Sequence, residues 1–262
     1  MELTVDGANV FVHTGGVVPD PFLPAVVMLH GAGMDHSVWR FQARALAHEG
    51  FAVFAPDLPG HGRSAGKAPS AIGDAAAWVA EFVDEVGLGR ISVVGHSMGS
   101  LIGIELAVVS DLVDRLVLIG TSGEMAVHPD LLAAAETGDR LAVDLIVGWA
   151  FGTAGRRGGH PQAGTWLPAS AVRLLERSLD GPLGSDLAAC AEYPGLDRAS
   201  QVRAPTLVVQ GAEDRMTPVR AARKLVEVIP DARLEVVPGA GHMVMVEAPD
   251  QVRRLLEGFL AG

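Results

Sequence analysis

Ile91-Ser92-Val93-Val94-Gly95-His96-Ser97-Met98-Gly99-Ser100 decides how the rest of the chain is read. Its first four residues are β-branched or small and run up to a glycine, the pattern of a buried strand. Leu101-Ile102-Gly103-Ile104-Glu105-Leu106-Ala107-Val108-Val109 follows, apolar over a length that suits a buried helix. Between them lies Gly-His-Ser-Met-Gly, a G-x-S-x-G pentapeptide at a strand-to-helix turn. Such a turn strains the serine backbone and lifts the hydroxyl above the carboxyl edge of a sheet. A Cβ at Gly95 or Gly99 would crowd the neighbouring strand or helix, and the following helix aims its N-terminal amides at the site. Alone, the pentapeptide also fits a small-residue turn that packs a helix on a sheet. The flanking strand and helix make Ser97 a candidate nucleophile.

Outward from this stretch, strand and helix patterns alternate. Upstream, Leu3 to Val12 reads as a hairpin turning at Asp6-Gly7-Ala8-Asn9. Ala25–Leu29 reads as a buried parallel strand that ends in His30-Gly31-Ala32-Gly33. Ser37–Glu49 has helical spacing, Phe51–Ala55 is a strand running into Pro56-Asp57-Leu58-Pro59-Gly60-His61-Gly62-Arg63-Ser64, and Ala71–Val86 is an amphipathic helix capped by Gly87. Downstream, Arg115–Ile119 is a further strand. The rhythm then breaks: from 123 to 200 there are helical segments (Leu131–Glu136, Leu141–Trp149, Ala171–Leu179) and a glycine-rich link at Gly152–Gly159, but no strand. Thr206–Gln210, Val219–Val228, Arg233–Val237 and Pro249–Leu260 resume the alternation as strand, helix, strand and helix. The expected class is α/β, a mostly parallel twisted sheet with helices on both faces. Residues 1–122 and 201–262 form its core, and 123–200 form an inserted helical cap over the carboxyl edge.

A serine hydroxyl needs a base to take its proton, and the base needs a third group to orient it and stabilise its charge. On an open parallel sheet these partners come from loops at the carboxyl ends of later strands. Two such loops carry candidates: Gly211-Ala212-Glu213-Asp214-Arg215, and Pro238-Gly239-Ala240-Gly241-His242. Ser97, Asp214 and His242 thus follow in the order nucleophile, acid, base. In this order and setting the chain resembles the α/β-hydrolase superfamily over nearly all its length outside the cap. The resemblance implies an oxyanion hole from the backbone amides of Ala32 and Met98, with Gly31 and Gly33 shaping the loop. It also matches Asp57 to Ser64 with a D-x-x-G-x-G-x-S loop that has a structural part only. Glu213 and Glu124 are alternatives for the acid; Asp214 fits the G-x-x-D spacing better, which leaves Glu213 solvated.

A serine in the elbow sets the chain apart from the dehalogenases and epoxide hydrolases of this fold, which need a carboxylate nucleophile. Carboxylic esters of small-to-medium apolar compounds are the expected substrates, cleaved through an acyl-enzyme. Met125, Leu145, Trp149 and Trp166 are candidates to wall an apolar pocket, against the alternative that they form the cap's own core. Rival readings are a C–C bond hydrolase gripping a dienoate with Arg156 and Arg157, a cofactor-free perhydrolase, and a ligand receptor without catalysis.

Composition narrows the partners. A formal net charge of −11 in 262 residues repels nucleic acid and anionic membranes. With 49% hydrophobic and 19% charged residues, disorder is excluded. Cys190 is the single cysteine and reads as a core filler in a reducing compartment. Glu2 and Asp6 fall where a secretion signal needs positive charge, and no apolar run spans a bilayer, so a cytoplasmic enzyme of small molecules is expected. No cofactor or metal is expected: there is no H-x-H or H-E-x-x-H pair, and Gly31-Ala32-Gly33 lacks the third glycine of a dinucleotide loop, His36 standing there. His30 reads as a loop hydrogen-bonder, His96 as packing beneath the elbow, His61 as part of its turn, and His36, His128 and His160 as surface.

Overall fold

The computed structural model of the chain describes residues 1–161 and 165–262. An antiparallel hairpin opens it, β1 (Glu2–Val5) and β2 (Ala8–His13). Asp6 and Gly7, both at positive φ, make the tight turn that suits the twist of a hairpin. Then come β3 (Ala25–Leu29), a 3-10 turn at His36–Trp39 leading into α1 (Arg40–His48), β4 (Ala52–Pro56), α2 (Ile72–Val86), β5 (Ile91–His96), α3 (Met98–Val109) and β6 (Val113–Ile119). Among the described residues the helices α4 (Pro129–Glu136), α5 (Leu141–Ala150), α6 (Thr153–Arg156), α7 (Leu167–Glu176), α8 (Leu183–Glu192) and α9 (Gly195–Ala199) follow. The sheet pattern resumes with β7 (Thr206–Gly211), α10 (Val219–Val228), β8 (Ala232–Val237), α11 (Val244–Glu247) and α12 (Pro249–Leu260).

The strands form one eight-stranded sheet in the order β1-β2-β4-β3-β5-β6-β7-β8, parallel from β4 to β8. Side-chain alternation explains why the central strands read as unbroken apolar runs. Val26 and Met28 of β3 enter one buried layer and Val27 and Leu29 the other; Val117 and Ile119 of β6 are likewise set against Leu116 and Leu118. Both faces are covered, α1 and α12 packing on the first and α2, α3 and α10 on the second. Each fully buried aliphatic side chain contributes roughly 1.5–3 kcal/mol, so in the strands from β3 to β7 the polar residues lie toward the ends.

That confinement positions the site. From β3 the chain turns to β4 on one side, and β5 then crosses to the other, so strand order reverses between β3 and β5. Ligands bind in parallel sheets at such reversals, beyond the carboxyl ends. The register lines these ends up: Leu29 pairs with Gly95, His96 with Ile119, Ile119 with Val209 and Gly211 with Val237. The loops bearing Ala32, Ser97, Asp214 and His242 therefore leave the sheet at one edge.

The segment between β6 and β7 departs from its expected outline. α8 and α9 carry no strong apolar stripe in sequence, yet both are helices. α8 is rich in small residues because it lies against α4, and a Cβ on Gly184 would press on the backbone of Ala135 and Glu136. α6 is a single helical turn inside the expected glycine-rich link. The segment is tied to the sheet domain by a fork of Arg198 Nε and Nη2 on the Glu105 carboxylate at 2.7 and 2.8 Å, which Tyr193 Oη joins at 2.8 Å. No described helix is long and apolar enough to cross a membrane.

Candidate active site

Ser97 stands between β5 and α3 with φ +51° and ψ −116°. Among the described residues only it and Asp6 hold positive φ without being glycine. Such strain persists where surroundings over-determine it, and here they do. Ser97 N donates to Ile119 O at 2.9 Å, and Ser100 Oγ donates to Gly95 O at 2.8 Å while accepting from Ile119 N at 3.2 Å. A Cβ on Gly95 would strike the Gly99 carbonyl, and one on Gly99 would strike the end of β3. α3 begins at Met98, three residues before the apolar run suggested, because the turn itself winds into the helix.

His242 is buried, and its Nδ1 lies 2.9 Å from Asp214 Oδ2 and 3.1 Å from Thr217 Oγ1. With a carboxylate facing Nδ1, that nitrogen carries the proton and Nε2 keeps its lone pair. His242 Nε2 and Ser97 Oγ have no hydrogen-bond partner among the described residues. Both residues line one cavity of about 550 Å³. The bond between them is not made in this arrangement; such bonds often close only once substrate is held.

Asp214 is held on all sides. Oδ1 accepts from the amides of Met216 and Thr217, each at 2.8 Å; Oδ2 accepts from Thr217 Oγ1 at 2.8 Å and Gln210 Nε2 at 2.6 Å. Burial pushes its carboxyl upward, but the charge and hydrogen bond of His242 and the bonds from Thr217 outweigh this and hold it below the ordinary carboxylate range. Gln210 in turn accepts from Thr121 N at 3.2 Å and donates to Thr217 O. Glu213, one residue away, is exposed and caps α6 instead, accepting from Thr153 N and Oγ1 at 2.7 Å each. Glu124 does not line the cavity.

Ala32 lines the same cavity, and neither its amide nor that of Met98 has a protein acceptor among the described residues. The Ala32 loop is stretched between two holds. His30 Nε2 accepts from Leu58 N at 3.1 Å and its Nδ1 reaches Gly31 O at 2.9 Å, while Gly33 N donates to Asp186 Oδ2 of α8 at 2.8 Å. Burial, with His61 nearby, drives His30 down to a pKa of about 4, so it is a neutral hydrogen-bonder. His96 packs under the elbow against Gly31, its Nε2 3.2 Å from His242 O, and burial lowers its pKa well below normal.

Of the pocket candidates, Met125 and Trp149 line the cavity, as do Leu131, Leu187 and Met216. Leu145 does not; it packs against the buried cluster that runs from these helices into the first sheet layer. Trp166 is a clear correction: at the start of α7 it is 66% exposed and away from the cavity. Arg156 and Arg157 are exposed and also away from it. Asp35, His36 and Asp57 bring donor atoms within 4.8 Å of one another. Their atoms already serve the loop: Asp57 accepts from the amides of His36 and Arg63 at 2.7 and 2.9 Å, and from His36 Nδ1 at 2.8 Å. His36 is thus a half-buried partner of Asp57, not a free surface group.

Sequence reasoning passed over four contributors. Thr217 and Gln210 brace Asp214 from positions with no motif of their own. Asp186 reaches the Ala32 loop from a helix whose contact partner lies 153 residues away in the chain. Glu247 of α11 accepts from Gly241 N and from Gly152 N, each at 2.8 Å, so one carboxylate joins the His242 loop to the helical segment. Burial pushes its pKa up to about 7 against the pull of those two amides.

Comparison with known proteins bears on the family and the fold. A family model described as alpha/beta hydrolase fold matches residues 24–249. The pimeloyl-[acyl-carrier protein] methyl ester esterase of Aromatoleum aromaticum is 30% identical, over 91% of this chain and 99% of that protein. Among solved structures, a thermophilic esterase superposes with a TM-score of 0.82 at 27% identity, covering 100% of this chain and 96% of that one. The enol-lactonase of Burkholderia xenovorans LB400 shares the fold over the whole of both chains, with a TM-score of 0.88 at 24% identity.

Proposed function

From a chain that belongs to the α/β-hydrolase family, we propose a serine hydrolase that cleaves carboxylic esters of small-to-medium apolar compounds through an acyl-enzyme. One observation carries the reading: His242 bonds Asp214 through Nδ1 and leaves Nε2 open to the cavity that the Ser97 elbow also faces. Ser97 Oγ attacks the ester carbonyl as its proton passes to His242 Nε2. The tetrahedral oxyanion rests on the amides of Ala32 and Met98, where each donor is worth roughly 3–4 kcal/mol in the transition state. His242 returns the proton to the departing alkoxide. Water, deprotonated by the same nitrogen, then releases the acid and restores the serine.

The apolar cavity wall supports apolar acyl or alkyl groups, and the helical segment at 123–200 acts as the cap that supplies most of that wall. A methyl ester esterase among the relatives points the same way. The test is a p-nitrophenyl ester panel from acetate to palmitate, with a meta-cleavage dienoate beside it, on wild type and Ser97→Ala. Turnover of short-to-medium esters that vanishes in the variant is expected; turnover of the dienoate alone overturns the reading.

A further inference from the structure

The wall of the cavity is apolar at Met125, Leu131, Trp149, Leu187 and Met216, and among the described residues one permanently charged side chain interrupts it. That residue is Arg215, directly after the acid Asp214. The Asp214 carboxylate faces His242, Thr217 and Gln210, and Glu213 faces Thr153, so neither neutralises the guanidinium. Among the described residues Arg215 forms no ion pair, although the chain carries an excess of eleven negative charges. One N–H of Arg215 is spoken for: Nη2 donates to Gly148 O in the last turn of α5. This bond anchors the side chain against the cavity wall and leaves most of its five donors uncommitted. Arg215 is exposed and His242 is 2% exposed, so the cation stands at the solvent end and the reacting groups at the floor.

We propose that Arg215 receives a carboxylate at the far end of the substrate, so that the preferred esters are those whose acyl chain ends in an acid group. An arginine fork matches a carboxylate bidentately, and a single guanidinium balances a single negative charge. The apolar wall between mouth and floor takes the intervening methylenes. The distance between cation and hydroxyl then acts as a ruler that selects one chain length. This inference rests on the ester-hydrolase reading and names its substrate class.

The test is a series of p-nitrophenyl hydrogen dicarboxylates, from succinate to suberate, each paired with its neutral methyl ester. The readout is the ratio of kcat/KM for acid-tailed over neutral substrate, which cancels differences in the folded fraction. Wild type should favour the acid-tailed member at one or two lengths, and raising the salt concentration should shrink the ratio. Arg215→Ala should lower it about tenfold, the lower range for a hydrogen bond to a charged group, and Arg215→Lys should keep part of it. A ratio that ignores residue 215, or a wild type that prefers the neutral ester at every length, overturns the inference while leaving the hydrolase standing. Failure of wild type to cleave either member overturns both.

Discussion

Two buried histidine–carboxylate pairs in this molecule look alike and offer different chemistry. His242 Nδ1 meets Asp214 at 2.9 Å, and His61 Nε2 meets Asp186 at 2.8 Å, all four side chains being almost wholly buried. The second ring nitrogen separates them. His61 Nδ1 points at Pro59 O at 2.9 Å, so both of its nitrogens face acceptors and the ring is held as a double donor. Burial alone would lower its pKa, but the Asp186 carboxylate and the Pro59 carbonyl raise it. His242 leaves Nε2 open to a cavity that holds a serine. A base needs a lone pair with somewhere to go; a staple needs none.

Variants can break this contrast. His242→Gln should lower ester turnover by about 10⁴-fold or more with the fold intact, whereas His61→Gln should leave a working enzyme that is less stable by roughly 3 kcal/mol. Steady-state kinetics and denaturant titration on the same preparations check both arms, and equal kinetic losses would erase the distinction. Next in size, Asp214→Asn should cost about 10⁴-fold in kcat by removing the acceptor that fixes the His242 tautomer. Glu213→Gln should stay within about twofold. The reverse result would move the acid one residue upstream.

Stability against pH sharpens the comparison. His61 has a raised pKa, so its pair with Asp186 stabilises fully below the ordinary histidine value and is lost as pH rises through the folded one. The penalty of Asp186→Asn should therefore be largest near pH 6 and shrink on the alkaline side. Glu247 works in a different window. Its pKa rises from 4.5 to about 7 on folding, so the folded chain binds a proton that the unfolded chain releases, and stability falls between those values. The span is worth roughly 3 kcal/mol. Glu247→Gln should flatten that slope and, by turning an amide N–H toward Gly241 or Gly152, lower kcat about tenfold as His242 shifts. Thermal melts across pH and a kcat against KM split measure the two effects.

How much was legible follows the same division. The sheet domain could be read because its central strands are apolar on both faces and its candidate site residues sit at strand ends beside glycine turns: Ser97 at Gly95 and Gly99, Asp214 after Gly211, His242 after Gly241. The rim of helices could not. Asp186 and Glu247 lie inside helices where an acidic residue reads as a solvated face, and their value comes from backbone amides brought in from distant loops. Trp166 was drawn toward the pocket by its size, yet it lies outward at the start of α7. Arg215 belongs to no motif, and its place in the cavity wall shows only in the fold. Sequence patterns expose elements that bury their own faces; they are silent about side chains whose partners belong to other elements.

The claim at the centre is that Ser97 carries the acyl group. Intact-protein and peptide mass spectrometry of the enzyme, acid-quenched during turnover of p-nitrophenyl butyrate, tests it most directly. The account predicts one butyryl adduct per chain on the peptide containing Ser97, absent in Ser97→Ala. Turnover without any adduct under burst conditions, or an adduct on another residue that persists in that variant, would contradict it.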